Sequence, residues 1–180
     1  GIEKVGTYVV NFTIQIMLAR LLCPNDYAVV AMLAIFFSIS QAFIDSGFAT
    51  TLIQKQDCTQ ADYSSVFYFN VLIGGVVYLL FFWGAPFIES FYNFEGLALV
   101  TRVYSLNLFI NSFAMVHRVI LTKELKFKKI ALITFLSSII SAIPAIIMAY
   151  WGYGYWALVG QSLISAVVTS ALIMYQSKWR

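Results

Sequence analysis

Arg20, Asp45, Arg102, His117 and Arg118 stand inside runs of apolar sequence that are otherwise almost free of charge. Ionisable groups in such runs are costly in hydrocarbon, and they mark substrate or ion pathways, proton relays or helix–helix pairs. Their polar neighbours are patterned. At helical periodicity Ser38, Gln41 and Asp45 share one face within about 60°. Asn107, Asn111 and Arg118 share another within about 40°. Asn11 and Gln15 share a third, with Thr7 close by. Thr134, Ser138 and Ser141 form a stripe of small polar groups, as do Gln161, Ser165 and Thr169. The chemistry on offer is recognition, not bond making. Arginine donates paired hydrogen bonds to phosphate oxygens from a planar fork. Asp45 is either the partner of an arginine on a neighbouring helix or a carrier of a proton or sodium ion. The last two stripes read as helix–helix contacts, where small and hydroxylated residues gather. The stripes bearing Gln41, Asp45, Asn107, Asn111 and Arg118 are the candidates for a water-accessible lumen. Each arginine also has a structural reading. Arg20 and Arg102 lie near the outer ends of their runs and Arg118 near an inner end, so each can reach an interface by snorkelling.

Six apolar stretches carry these residues, at roughly 5–22, 28–53, 65–88, 97–121, 130–150 and 155–176. A helix needs about 20 apolar residues to cross the hydrocarbon core. Hydrophobic residues make up 61% of the chain and charged ones 11%, against about 25% charged in a soluble domain. There is too little charge to clothe a water-facing surface. A β-barrel is excluded by pattern, because Leu72–Trp83 and Ile139–Tyr150 lack the alternation of barrel strands. The expected fold is an all-α integral membrane bundle of six transmembrane helices, one domain over residues 1–180. Pro144 is expected to kink the fifth helix, and Pro24 and Asp26 to form a tight turn with Asp26 as a helix N-cap.

Basic residues fix the expected orientation. Lys4 precedes the first stretch, Lys55 follows the second, Lys123, Lys126, Lys128 and Lys129 follow the fourth, and Lys178 and Arg180 follow the sixth. The connections Cys23–Tyr27, Glu89–Gly96 and Trp151–Tyr155 contain no Lys or Arg. Basic residues are retained in the cytoplasm, so both ends are expected there. Tyr150, Trp151, Tyr153, Tyr155 and Trp156 form an outer aromatic belt, with Tyr175 and Trp179 at the inner face. The lysine-rich connection is read as a product of that insertion rule and not as a nucleic-acid site.

Enzyme signatures do not emerge. There is no phosphate-binding glycine loop, no paired carboxylates on one helix and no serine-centred elbow. No cofactor is implied. The lone His117 has no partners for a metal site. Cys23 and Cys58 fall at opposite faces and are not expected to pair.

Longer motifs add a family likeness. Leu18–Tyr27 reads LARLLCPNDY and resembles the LARLLxPxDY signature of bacterial polysaccharide flippases. Phe43–Asp57, Asp62–Asn70 and the turn Leu125–Lys128 continue the likeness to the Wzx-like polysaccharide transporters of the multidrug/oligosaccharidyl-lipid/polysaccharide exporter (MATE-like) superfamily. The resemblance implies one six-helix lobe of a two-lobed transporter with about 12 to 14 spans, here the amino-terminal lobe, with a carboxy-terminal lobe to follow. The start at Gly1, close to the first stretch, fits a segment of a longer protein. It implies flipping of undecaprenyl-pyrophosphate-linked oligosaccharide across the bacterial inner membrane, with cationic side chains of a central cavity holding the head group. Arg20 and Asp45 fall within the matching motifs. Gln41, Arg102, Asn107, Asn111 and Arg118 are lumen candidates from their positions on helices. A cation-coupled drug exporter of the same superfamily and a structural partner of a polysaccharide polymerase are the alternatives. Membrane lipids and the lipid-linked saccharide are the expected partners, and nucleic acid is not.

Overall fold

The structure, a computed structural model, describes residues 2–45 and 59–177. For Lys4, Thr7 and Asp45 only the backbone is described. Lys55, Cys58, Lys178, Trp179, Arg180 and most of the Phe43–Asp57 motif lie outside the described residues.

Within them the fold is all α: α1 Ile2–Leu21, α2 Pro24–Asp45, α3 Gln60–Tyr92, α4 Leu97–Lys123, α5 Phe127–Tyr150 and α6 Tyr155–Gln176. The boundaries follow the apolar stretches closely, because hydrocarbon forces every backbone polar group into an internal hydrogen bond. α2 to α6 are each long and apolar enough to cross a membrane, while the apolar part of α1 is the shorter Tyr8–Leu21. Asn11, Thr13 and Gln15 dilute that helix. Large apolar side chains such as Leu72, Leu80, Trp83 and Phe87 on α3 are exposed. A soluble protein rarely tolerates so broad a patch, and lipid covers it at no cost. This is a multi-pass membrane protein.

The helices form an arc in the order α3, α4, α6, α5, α1, with α2 laid against α4, α6 and α3. The α1–α2, α3–α4 and α5–α6 turns gather at one end, here the upper end. The α4–α5 turn, with its lysines, marks the lower end. Three apolar clusters bind the arc. Ile14 and Leu18 of α1, with Leu22 just past its end, meet Ala142, Ala145 and Ala149 of α5. Val29, Leu33 and Phe37 of α2 meet Leu97, Val100 and Leu108 of α4. Leu121, Ile133 and Ile173 tie α4, α5 and α6 at the lower end. Phe37 stacks on Phe81 at 4.7 Å between centroids and meets Tyr104 edge-on. α3 approaches α4 so closely that a Cβ on Gly74 would lie 2.7 Å from Ser112 Oγ, the small-residue contact typical of membrane helices.

Carboxylates close the upper turns. Glu89 Oε2 accepts from Ala98 N–H at 2.7 Å, capping the start of α4 from the end of α3. Asp26 was expected as an N-cap. It lies instead in the first turn of α2, because Pro24 opens that helix. From there Asp26 Oδ2 reaches back to Cys23 N–H at 3.0 Å, while Oδ1 accepts from Tyr155 N–H at 3.1 Å, the first residue of α6. One carboxylate thus serves two helix N-termini, where the macrodipole favours negative charge. At the lower end Thr59 and Asp62 form a reciprocal capping box for α3.

Candidate functional site

Between α1 and α2, over a floor of α4, α5 and α6, runs a polar groove. Its middle is a cavity of about 510 Å³, walled by Ser38 and Gln41 of α2, Tyr104, Asn107 and Asn111 of α4, and Ser165 and Thr169 of α6. A second hollow of about 600 Å³ continues toward the upper end past Asn11, Gln15, Tyr27, Ser138, Ser141 and Gln161. The two share Ala34, Tyr104, Thr134, Ser162 and Ser165 as walls. A third, of about 510 Å³, opens at the lower end and shares Arg118 and Thr134 with the first. Among the described residues Arg118 is thus the formal charge on the walls of these hollows, and no carboxylate lines them. Among the described residues Arg118 has no ion-pair partner.

The polar faces read from the sequence converge here. Gln41, Asn107, Asn111 and Arg118 meet across the middle of the groove, and Asn11 and Gln15 join them from α1. Asn107 Nδ2 donates to Ser162 Oγ at 3.1 Å, which fixes α4 against α6 and orients both groups at the wall. Asp45 ends α2 one turn beyond Gln41, and its side chain lies outside the described residues. Arg20 is exposed near the upper end of α1 and is not on the groove wall.

The stripes of α5 and α6, expected as helix–helix contacts, instead form groove wall. Thr134, Ser138 and Ser141 donate to carbonyls of their own helix, those of Ile130, Thr134 and Ser138. Their donors are thereby satisfied, and each hydroxyl oxygen keeps a lone pair to accept with. Tyr104 and Ser162 were not singled out from the sequence. Tyr104 lies within about 20° of Asn111 at 100° per residue, a usable signal that its large apolar ring obscured.

Arg102 lies elsewhere, between α3 and α4. Pro86 has no N–H, so the carbonyl of Phe82 loses its helical partner. Arg102 Nε supplies a replacement, donating to Phe82 O at 3.1 Å with its guanidinium 4.6 Å from the Phe82 ring centroid. The bond lies on the exposed side of the helix pair, where lipid and not water covers it, and a carbonyl left without a partner there costs about 1–3 kcal/mol. Arg102→Leu is therefore expected to destabilise the bundle by about that amount. The cost should shrink in a Pro86→Ala background, where a backbone N–H returns. Thermal melts of the two single variants and the double variant in detergent check this, and purely additive effects would contradict the pairing.

The family model described as polysaccharide biosynthesis protein matches residues 17–180. The succinoglycan biosynthesis transport protein ExoT of Rhizobium meliloti is 26% identical over 167 residues, covering 93% of this chain and 34% of that protein. The teichuronic acid biosynthesis protein TuaB of Bacillus subtilis is 27% identical over 139 residues, 77% of this chain and 27% of that one. The lipopolysaccharide biosynthesis protein WzxC of Escherichia coli is 23% identical over 167 residues, 92% of this chain and 33% of that one. The chain spans about a third or less of the length of these relatives. No solved structure matches.

Proposed function

This chain belongs to the polysaccharide biosynthesis protein family, and on that premise we propose that it is the substrate-cradling lobe of a flippase for phosphate-linked saccharide lipids. The observation that carries this reading is a polar groove with arginine on its wall and no carboxylate among its described lining residues. Such a groove suits an anionic pyrophosphate at Arg118 and neutral sugars along the amides and hydroxyls of Gln41, Asn107, Asn111 and Ser165. Arg118 supplies the fork of donors that matches phosphate geometry. The same charge repels a cationic drug, which disfavours the multidrug-exporter alternative.

The lysines of the α4–α5 turn favour a cytoplasmic lower end under the positive-inside rule, with both ends of the described chain on that side. A substrate made in the cytoplasm then meets Arg118 first and the upper hollow last. Release follows when this lobe and a second one rock about the site, in the alternating-access manner of repeat-built transporters. The chain itself does no covalent chemistry in this scheme.

Deletion of the gene in its host is the direct test. The expected result is loss of surface polysaccharide with accumulation of the lipid-linked repeat unit on the cytoplasmic side. Normal flipping with shortened polymer would replace this reading with that of a polymerase partner.

A further inference from the structure

The seam between α1 and α5 is closed at one end and open at the other. In the upper half Ile14, Leu18 and Leu22 lie flush on Ala142, Ala145 and Ala149, since alanine lets two helices approach closely. In the lower half the alanine series stops. There the third hollow, of about 510 Å³, separates Tyr8 of α1 from Phe127, Ile130 and Ala131 of α5. That volume lies in the range that houses small ligands. Its lining is two-sided in chemistry. Apolar rings and chains make most of it, while Arg118 stands at its inner end, shared with the polar groove. Lys128 and Lys129 are exposed on the first turn of α5, beside Phe127. A cavity with an apolar bed and a cationic inner end complements a lipid phosphate more closely than a free sugar or a free phosphate.

We infer that this slot houses the first isoprenoid units of the transported lipid while its phosphate rests at Arg118. The lipid then slides sideways from the inner leaflet into the groove between α1 and α5, within this single lobe. The inference rests on the transport reading above and adds the route of the tail. It also accounts for the placement of Arg118, which among the described residues is the charged group shared by the polar and the apolar hollow.

The test uses the full-length protein that carries this lobe, in proteoliposomes, and one saccharide diphosphate carried on either of two anchors, undecaprenyl or a single methyl group too short to enter the slot. Ala131→Trp fills the slot from its half-buried floor. Transport of the undecaprenyl substrate should fall about tenfold, the worth of roughly two buried methylene groups. The methyl-anchored substrate should be transported as by the unchanged protein, and Leu79→Trp, on the exposed face of α3, should behave as the unchanged protein with both. Equal losses on both anchors, or none, would overturn the slot while leaving transport in place. Failure of the unchanged protein to move either substrate would overturn the transport reading itself. A benzophenone side chain at Tyr8 gives an independent readout by mass spectrometry. It should be photo-crosslinked to undecaprenyl phosphate in preference to phosphatidylglycerol, and far more than the same group placed at the exposed Leu79 of α3. Equal labelling by both lipids, or at both positions, would make the slot ordinary lipid-facing surface and overturn the inference.

Discussion

Arg118→Gln is expected to lower the initial rate of lipid-linked saccharide transport about 100-fold in proteoliposomes, with no change in the melting temperature of the protein. The magnitude follows from the contact it would remove. A hydrogen bond to a charged group contributes about 1.5–3 kcal/mol, and the guanidinium fork makes two in parallel. Glutamine keeps a single neutral donor, so about 3 kcal/mol is lost, which is about 100-fold. Arg118→Lys keeps the charge without the fork, and a loss of about tenfold is expected. The unchanged stability follows because Arg118 has no ion-pair partner among the described residues. Arg20→Gln, exposed and away from the groove wall, should stay within about twofold of the unchanged rate, as expected of a surface substitution. Transport by Arg118→Gln at the unchanged rate would remove the anion-binding role from this residue.

What could be read from residues alone divides along physical lines. The six helices were legible because the bilayer imposes one length and one backbone solution on every span. The expected stretch 97–121 and the observed Leu97–Lys123 differ by two residues at one end. The polar face of α4 was legible too, since Asn107, Asn111 and Arg118 repeat at the helical period and all reach the cavity. Arg102 was not. Its position is explained by Pro86 on another helix, which frees the one carbonyl that Arg102 binds, and a single-helix periodicity cannot foresee a partner across a helix pair. The stripes on α5 and α6 were assigned to helix contacts because periodicity says which residues share a face, not what that face meets. The hydroxyls of the α5 stripe donate within their own helix, and both stripes line the groove. Asp26 shows the same limit. A turn residue was evident, but its second partner lies 129 residues away in the chain.

That distant contact makes Gly154→Ala the substitution expected to damage folding most. Gly154 has φ 57° and ψ −131°, a conformation that residues with a side chain adopt only under strain of about 1–3 kcal/mol. Space is also lacking, since an added Cβ would lie 2.7 Å from Asp26 Oδ1 and 3.4 Å from Asp26 Cγ. The carboxylate would have to withdraw, and with it the acceptor that serves both Cys23 N–H and Tyr155 N–H. Losing a helix cap costs about 0.5–2 kcal/mol. Together these give about 2–5 kcal/mol, a large part of the stability of a typical domain. Two other glycines separate the contributions. Gly152 has φ 81° but nothing within 4 Å of an added Cβ, so Gly152→Ala should show the backbone strain alone. Gly84 sits inside α3, also with open space, so Gly84→Ala should be neutral or stabilising by about 0.5–1 kcal/mol. Thermal melts in detergent should therefore rank Gly154→Ala well below Gly152→Ala, and Gly152→Ala below Gly84→Ala. Adding Asp26→Ala to Gly154→Ala should cost less than the two separate losses combined, because the clash disappears with the carboxylate. Strict additivity would mean that Asp26 does not hold the α1–α2 turn against the start of α6. The upper mouth of the groove, bounded by Tyr27 and Leu158 on those same two elements, would then need another brace.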